Sequence, residues 1–113
     1  DYIVTQMFFD NQQYFDFVNL CRENNITIPI IPGLKPISTI NHLTLLPQRF
    51  NLNIPNSLVE SVNKCRNNKH VRRVGVDWAI QQTRELIDFG APCIHFYTMG
   101  KSNNIQQIVG EFC

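Results

Sequence analysis

Three short apolar runs, each closed by a breaker and followed by a segment of helical period, constrain the fold of this chain more than any other feature. The first, roughly residues 2–8, opens the chain with almost no lead-in. It carries a polar Gln6 near its end, passes through Phe8-Phe9 and breaks at Asp10. Asp10 stands as the N-cap of a helix over about residues 11–24, with Gln13 as its reciprocal capping-box partner. Tyr14, Phe15, Phe17, Val18 and Cys21 form the apolar stripe of that helix. Asn24-Asn25 stops it, because Asn tolerates the left-handed conformation at a helix end. A chain that begins this abruptly on a core strand is expected to have further protein upstream.

The second run, about 27–32, is ended by Pro32-Gly33, and Pro29 inside it argues against a central antiparallel position. Ser38 reads as the N-cap of a helix through Ile40, Leu43 and Leu46 that stops at or shortly after Pro47. Residues 51–70 read as a helical insertion: Pro55 starts it, Ser57-x-x-Glu60 is a candidate capping box, and Leu58, Val59 and Val62 follow at helical spacing. A longer helix over about 71–89 buries Val74, Trp78 and Leu86, is weakened in its first turn by Gly75 and ends at Gly90. The third run, about 93–98, is broken by Gly100. Ser102 then caps a last helix bearing Ile105, Ile108, Val109 and Phe112 on one side.

Strands that alternate with helices pair in parallel through right-handed crossovers and are buried on both faces. Three such strands make a narrow sheet with two bare edges, which is an aggregation liability unless something covers them. The economical reading is that 113 residues form three units of a larger α/β body, either a (βα)8 barrel or an open doubly wound sheet.

Bulk composition narrows the function only by exclusion. A net charge of +1 gives no electrostatic case for nucleic acid or a membrane surface, and no apolar run approaches the roughly 20 residues that span a bilayer. Cys21, Cys65, Cys93 and Cys113 lie far apart with no Cys-x-x-Cys pair, so they read as reduced, mostly buried thiols of a cytoplasmic protein rather than as a zinc site or disulfide framework. A Gly-rich dinucleotide fingerprint, a Walker loop, a Ser/His/Asp order and paired carboxylates are all missing from the sequence.

In a parallel sheet the strand ends face one way, so polar groups distant in sequence converge on one rim. Here these are Gln6 after the first strand, Gly33 and Lys35 after the second, and Thr98, Gly100 and Lys101 after the third. The Gln6 amide suits a flat heterocycle with adjacent N–H and C=O groups, such as a pterin; the alternative is that it satisfies a neighbour at the rim. Lys101, between a glycine and a helix start, favours an anion, or is a solvated surface lysine. His95, mid-strand, reads as a hydrogen-bonded core residue, His70 as solvated, and His42 as near enough to the rim to reach a ligand. Phe8, Phe9, Tyr14, Phe15 and Phe17 read as packing between strand and helix.

Thr5-Gln6-Met7-Phe8-Phe9-Asp10, Ile30-Ile31-Pro32-Gly33-Leu34-Lys35-Pro36-Ile37 and His95-Phe96-Tyr97-Thr98-Met99-Gly100-Lys101 occur in that order. Together they resemble the last three βα units of the methylenetetrahydrofolate reductase family, a flavin-dependent (βα)8 TIM barrel, over essentially the whole chain. The resemblance implies a partial barrel, its sixth to eighth strands. It implies FAD, NADH or NADPH as electron donor, and 5,10-methylenetetrahydrofolate as the substrate reduced to 5-methyltetrahydrofolate. Gln6 matches the residue that contacts the pterin and the nicotinamide. His42 falls where relatives often have a Gln, and Leu46 where an aromatic ring can stack on the folate. Met99 and Lys101 match positions near the folate that often hold Leu and Arg, and Val4 an aliphatic position near the flavin.

Lys at 101 keeps the charge but loses the bidentate fork. Leu at 46 forgoes stacking worth roughly 0.5–1.5 kcal/mol. His at 42 makes contact in one tautomer at a time. The acidic catalytic residue and most FAD contacts of the family lie in units that this chain lacks, so the 113 residues alone are expected neither to hold FAD nor to turn over. The remainder of its own barrel is then its first partner, and self-association stays open. Two alternatives stand beside this reading: a stand-alone interaction module that pairs through its strand edges, and another barrel enzyme with a phosphate site at residues 100–102.

Overall fold

The computed structural model describes residues 1–50 and 54–97, together with positions 108 and 110. The expected third strand end at Thr98, Gly100 and Lys101, the cap at Ser102, and Ile105, Val109 and Phe112 lie outside the described residues. The elements are β1 (Ile3–Met7), α1 (Asn11–Glu23), β2 (Ile30–Leu34), α2 (His42–Phe50), α3 (Asn56–Asn63), α4 (Asn68–Phe89) and β3 (His95–Phe96). The strands form one parallel sheet in the order β1-β2-β3, as the strand–helix alternation requires.

The helix ends follow their local chemistry with some departures. The Asp10 carboxylate accepts from the Gln12 N–H at 3.0 Å, while Gln13 gives its backbone N–H to the Asp10 carbonyl, so the cap forms on a different donor from the expected box. Asn24 closes α1 and Asn25 takes the left-handed φ of 62°. The Ser57–Glu60 box does not form: Pro55 is the N-cap of α3 and makes no side-chain bond. α4 starts earlier than expected because Asn67 caps it, accepting from the His70 N–H at 2.9 Å, and Gly90 ends it. Ser38 is not a cap. Its N–H donates to His42 Nδ1 at 3.1 Å, and the chain turns tightly through 39–41 before α2 begins.

β2 runs through Pro32 and Gly33 to Leu34 instead of ending at them. The proline is absorbed by an irregularity on the neighbouring strand. Val4 pairs with Ile31 and Met7 with Gly33, so Thr5 and Gln6 stand opposite Pro32 alone. Proline has no N–H to give to the ladder, and the extra residue on β1 bridges the gap as a bulge. Thr5 repairs the ladder with its side chain: its Oγ1 accepts from the Gly33 N–H at 3.0 Å. β3 is shorter than expected, pairing only at Gly33 and Leu34, with the Tyr97 N–H donating to the Leu34 carbonyl at 2.8 Å.

Two apolar clusters flank the strand ends. One joins Ile30 and Leu34 to Tyr14, Val18 and Cys21 of α1 and Leu86 of α4. The other joins Met7 and Phe9 to Ile37, Leu46, Leu58, Val62 and Val71. Phe17 is not part of this packing but exposed on α1, and Val74 and Trp78 are half-buried while Leu86 is fully buried. Of the thiols, Cys21 is buried, Cys65 intermediate and Cys93 exposed, which is less burial than expected.

α4 ties both strand–helix corners down. At Gly75 a Cβ would stand 1.8 Å from the Ile37 carbonyl oxygen, so only glycine lets the loop after β2 lie on this helix. One turn on, Trp78 Nε1 donates to the Phe9 carbonyl at 2.9 Å, and Gln82 Nε2 donates to the Phe8 carbonyl at 3.2 Å and to Asn11 Oδ1 at 3.0 Å. Asn11 returns a bond to the Gln82 carbonyl at 3.1 Å. The obstacle at Gly75 is backbone, which cannot rotate away. Gly75→Ala is therefore expected to destabilise the protein by about 3 kcal/mol or more, read as a lower urea midpoint at unchanged slope.

Candidate functional site

The two faces of the sheet differ. Ile3, Ile30, Leu34 and Phe96 pack under the helices, while Val4, Gln6 and His95 are exposed on positions that no described helix covers. Strand alternation puts Ile31, Gly33 and Lys35 on the same side of β2 as Val4 and His95, where Ile31 is half-buried and Gly33 and Lys35 are buried. The bulge falls on Gln6 itself, and bulges next to sites commonly re-aim one side chain. Gln6 is thus presented near the C-terminal end of β1, where parallel α/β folds bind their ligands.

Tyr97 fastens this rim. It reaches across Gly33 to donate from its hydroxyl to the Thr5 carbonyl at 2.8 Å, beside the bulge. A Cβ at Gly33 would stand 2.6 Å from the Tyr97 ring and 2.6 Å from the Thr5 carbonyl oxygen, so the glycine makes the crossing possible. Tyr97 and Thr5 were not among the expected site residues. Alternation along β3, which puts Tyr97 on the side of His95, was the available signal. His95 itself is exposed rather than buried in a core, because its ladder partner Gly33 has no side chain to cover it; it meets the Tyr97 ring edge-on at 4.6 Å. His70 is exposed, as expected.

Beyond β2, Lys35 is buried and His42 half-buried, close enough for the charge of one to bear on the other. Burial lowers the Lys35 pKa. Burial first, and then the Lys35 charge, lower that of His42 below the usual imidazole value. The Ser38 N–H fixes the tautomer as well, since it needs a bare Nδ1 and leaves the proton of the neutral ring on Nε2. Leu46 is 2% exposed within the Met7–Phe9 cluster, so it stands behind the rim rather than on its surface. Met99 and Lys101 lie outside the described residues.

Behind the rim, a cleft of about 440 Å³ opens between α1, α3 and α4, floored by Phe9, Phe15 and Trp78 and edged by Asp10 and Glu85. Gln6, Lys35 and His42 do not line it. Among the described residues no cluster of His, Cys, Asp or Glu could hold a metal ion, and no helix is long and apolar enough to cross a membrane.

The family model of methylenetetrahydrofolate reductase matches residues 1–112. The chain belongs to the methylenetetrahydrofolate reductase family. A Caenorhabditis elegans protein named probable methylenetetrahydrofolate reductase (NADPH) is 33% identical over 111 residues, covering 96% of this chain and 17% of the relative. A Buchnera aphidicola 5,10-methylenetetrahydrofolate reductase, from the subspecies Schizaphis graminum, is 33% identical over 110 residues, covering 96% of this chain and 38% of the relative. The chain thus spans between about a sixth and two-fifths of the length of these family members. Among solved structures, an uncharacterized protein from Clostridium thermocellum, described as binding two copies of 5-methyl-5,6,7,8-tetrahydrofolic acid, superposes with a TM-score of 0.67 at 21% identity. It covers 96% of this chain and 41% of that one. Three parallel strands with their helices are accordingly a part of the family's TIM barrel.

His42 is held neutral in the fold and is freer to take a proton in the unfolded chain. Between its lowered pKa and the ordinary value of about 6.5 the unfolded state binds more protons, so stability falls as pH drops through that window. His42→Gln, which can still accept from Ser38, is expected to flatten this part of the profile. Urea midpoints measured from neutral pH downward would check it, the two proteins diverging only on the acid side.

Proposed function

We propose that this chain supplies the folate-side rim of a methylenetetrahydrofolate reductase, in which a hydride from NADH or NADPH reduces 5,10-methylenetetrahydrofolate to 5-methyltetrahydrofolate. The observation that carries this is the placement of Gln6. A bulge forced by Pro32 presents its amide at the C-terminal end of an open parallel sheet, in a chain matched by the family over 112 residues. The name of the Clostridium thermocellum neighbour, a protein of the same fold that binds the methylated product, supports the ligand class.

The residues divide the work by position. Gln6 presents an amide, a group that both donates and accepts, toward the pterin edge and, when the substrates exchange, toward the nicotinamide amide. His42, neutral with its proton on Nε2, gives a directed donor where relatives often have a Gln. Leu46 backs this wall from the core, and Met99 and Lys101 continue it toward the anionic tail of the folate. Val4, 37% exposed on β1, fits the apolar edge of an FAD ring system, most of whose contacts the remainder of the barrel would supply. The flavin supplies the two-electron relay between nicotinamide and folate when the rest of the barrel holds it. That remainder is the partner for the exposed Val4 and His95 positions and for the outer edges of β1 and β3, which pair with no other described strand, in a cytoplasmic enzyme.

Two measurements follow. The isolated 113 residues should show no flavin absorbance and no NADH oxidation, and the assembled barrel should show both. In that barrel, Gln6→Ala should lower kcat/KM at least tenfold in both half-reactions, since a lost hydrogen bond in a binding site is worth about 1–3 kcal/mol. Unchanged rates in both would remove Gln6 from the site.

A further inference from the structure

We infer that Lys35 is an anion-binding residue of the rim, placed to receive a negatively charged oxygen of the ligand. This rests on the rim reading above and adds a residue to it. Lys35 directly follows Leu34 at the C-terminal end of β2, and alternation puts it on the side of Ile31 and Gly33, whose ladder partners on β1 are Val4 and Met7. Its exposure is only 6%, which is rare for a lysine without a counter-charge.

The described residues give it none. No hydrogen bond or ion pair among them holds the ammonium, and burial alone acts on its protonation. The charged neighbourhood makes this sharper. His42 is the titratable group that feels Lys35, and its Nδ1 is already taken by the Ser38 N–H, so it offers no acceptor from that side. The residues outside the described set contain a single acid, Glu111, on the segment after β3.

A lysine usually escapes such a position by snorkelling along its flexible stem. Here the anchor is fixed: Pro36 follows directly, and Ile37 is 1% exposed with its carbonyl pressed on Gly75. No polar side-chain atom of the described residues is both sealed from solvent and unpartnered, so the tip of Lys35 keeps an opening. A mostly desolvated cation, held on a rigid corner with its tip not sealed from solvent, is preorganised for a charge that arrives from outside.

Two ligands of the proposed reaction bring such an oxygen: the glutamate carboxylates of the folate and the pyrophosphate of the nicotinamide dinucleotide. The test is Lys35→Met in the assembled, flavin-loaded barrel, with Lys35→Arg as a charge-preserving control. Dissociation constants are measured for 5-methyltetrahydrofolate and for its pteroate counterpart without glutamate, and the NADH half-reaction is followed separately. A loss of tenfold or more confined to the glutamate-bearing folate assigns the carboxylate. A similar loss confined to NADH assigns the pyrophosphate. Retention by Lys35→Arg supports either assignment, and covers the case in which Lys35→Met fails to load flavin. Equal losses on folate and pteroate, no loss on any ligand, or loss by Lys35→Arg as large as by Lys35→Met would overturn the inference. Gln6→Ala in parallel separates the two claims, because it should weaken folate and pteroate alike whatever Lys35 does.

Discussion

The seating of α4 on the two strand–helix corners is the constraint from which the rest of the rim follows. At Gly75 the helix lets the backbone after β2 approach to a distance that no side chain would permit, and about one and two turns later the Trp78 indole and the Gln82 amide take the carbonyls after β1. The bond to the Phe8 carbonyl is buried and that to the Phe9 carbonyl partly so, and an acceptor buried without its partner would cost about 1–3 kcal/mol. The same helix thus fixes where two strands end. Gln6 and Lys35 keep a set separation because both corners are attached to one rigid body.

Within that frame the proline of β2 acts on its neighbour rather than on itself. The missing N–H at Pro32 creates a fault in the ladder that β1 accommodates at Thr5 and Gln6. Thr5 and Tyr97 then occupy the groups that the fault frees, one through a hydroxyl acceptor and the other through a hydroxyl donor. A break that would be a defect in a regular sheet becomes the device that presents an amide at the rim. Gly33 is needed for the same reason as Gly75: a side chain would stand where another group must pass.

Much of this was legible in the chain, and the misses have a common cause. Element type came from apolar period and from caps, which are local, so β1, α1, α4 and the parallel order were all accessible from Asp10, Asn24-Asn25 and Gly90. Pro32-Gly33 looked like a strand end because its local chemistry is that of a breaker; only the bulge on β1, a partner in another segment, lets the strand continue. Gly75 looked like a weak point in a helix because its purpose lies in Ile37. Ser38 looked like a cap because its hydroxyl is of the right type, whereas the chain first turns through 39–41 and α2 begins only at His42. His95 looked like core because a neighbour was assumed where Gly33 offers none. Gln6 was expected near the end of the first strand and lies there, exposed.

The rim also has an electrostatic logic. Lys35 and His42 sit close together, and a second positive charge at His42 would raise the cost of both. Burial and the Ser38 N–H prevent this by keeping the imidazole uncharged, so the corner after β2 presents one cation and one neutral donor. A neutral donor aligns a heterocycle without competing for anions, and the Lys35 cation is left for the charged group proposed for it. The separation of roles matters on a surface that two different ligands are proposed to share in turn. A histidine that became charged would blur it, and the fixed tautomer shows that the fold opposes that change through backbone geometry as well as through burial.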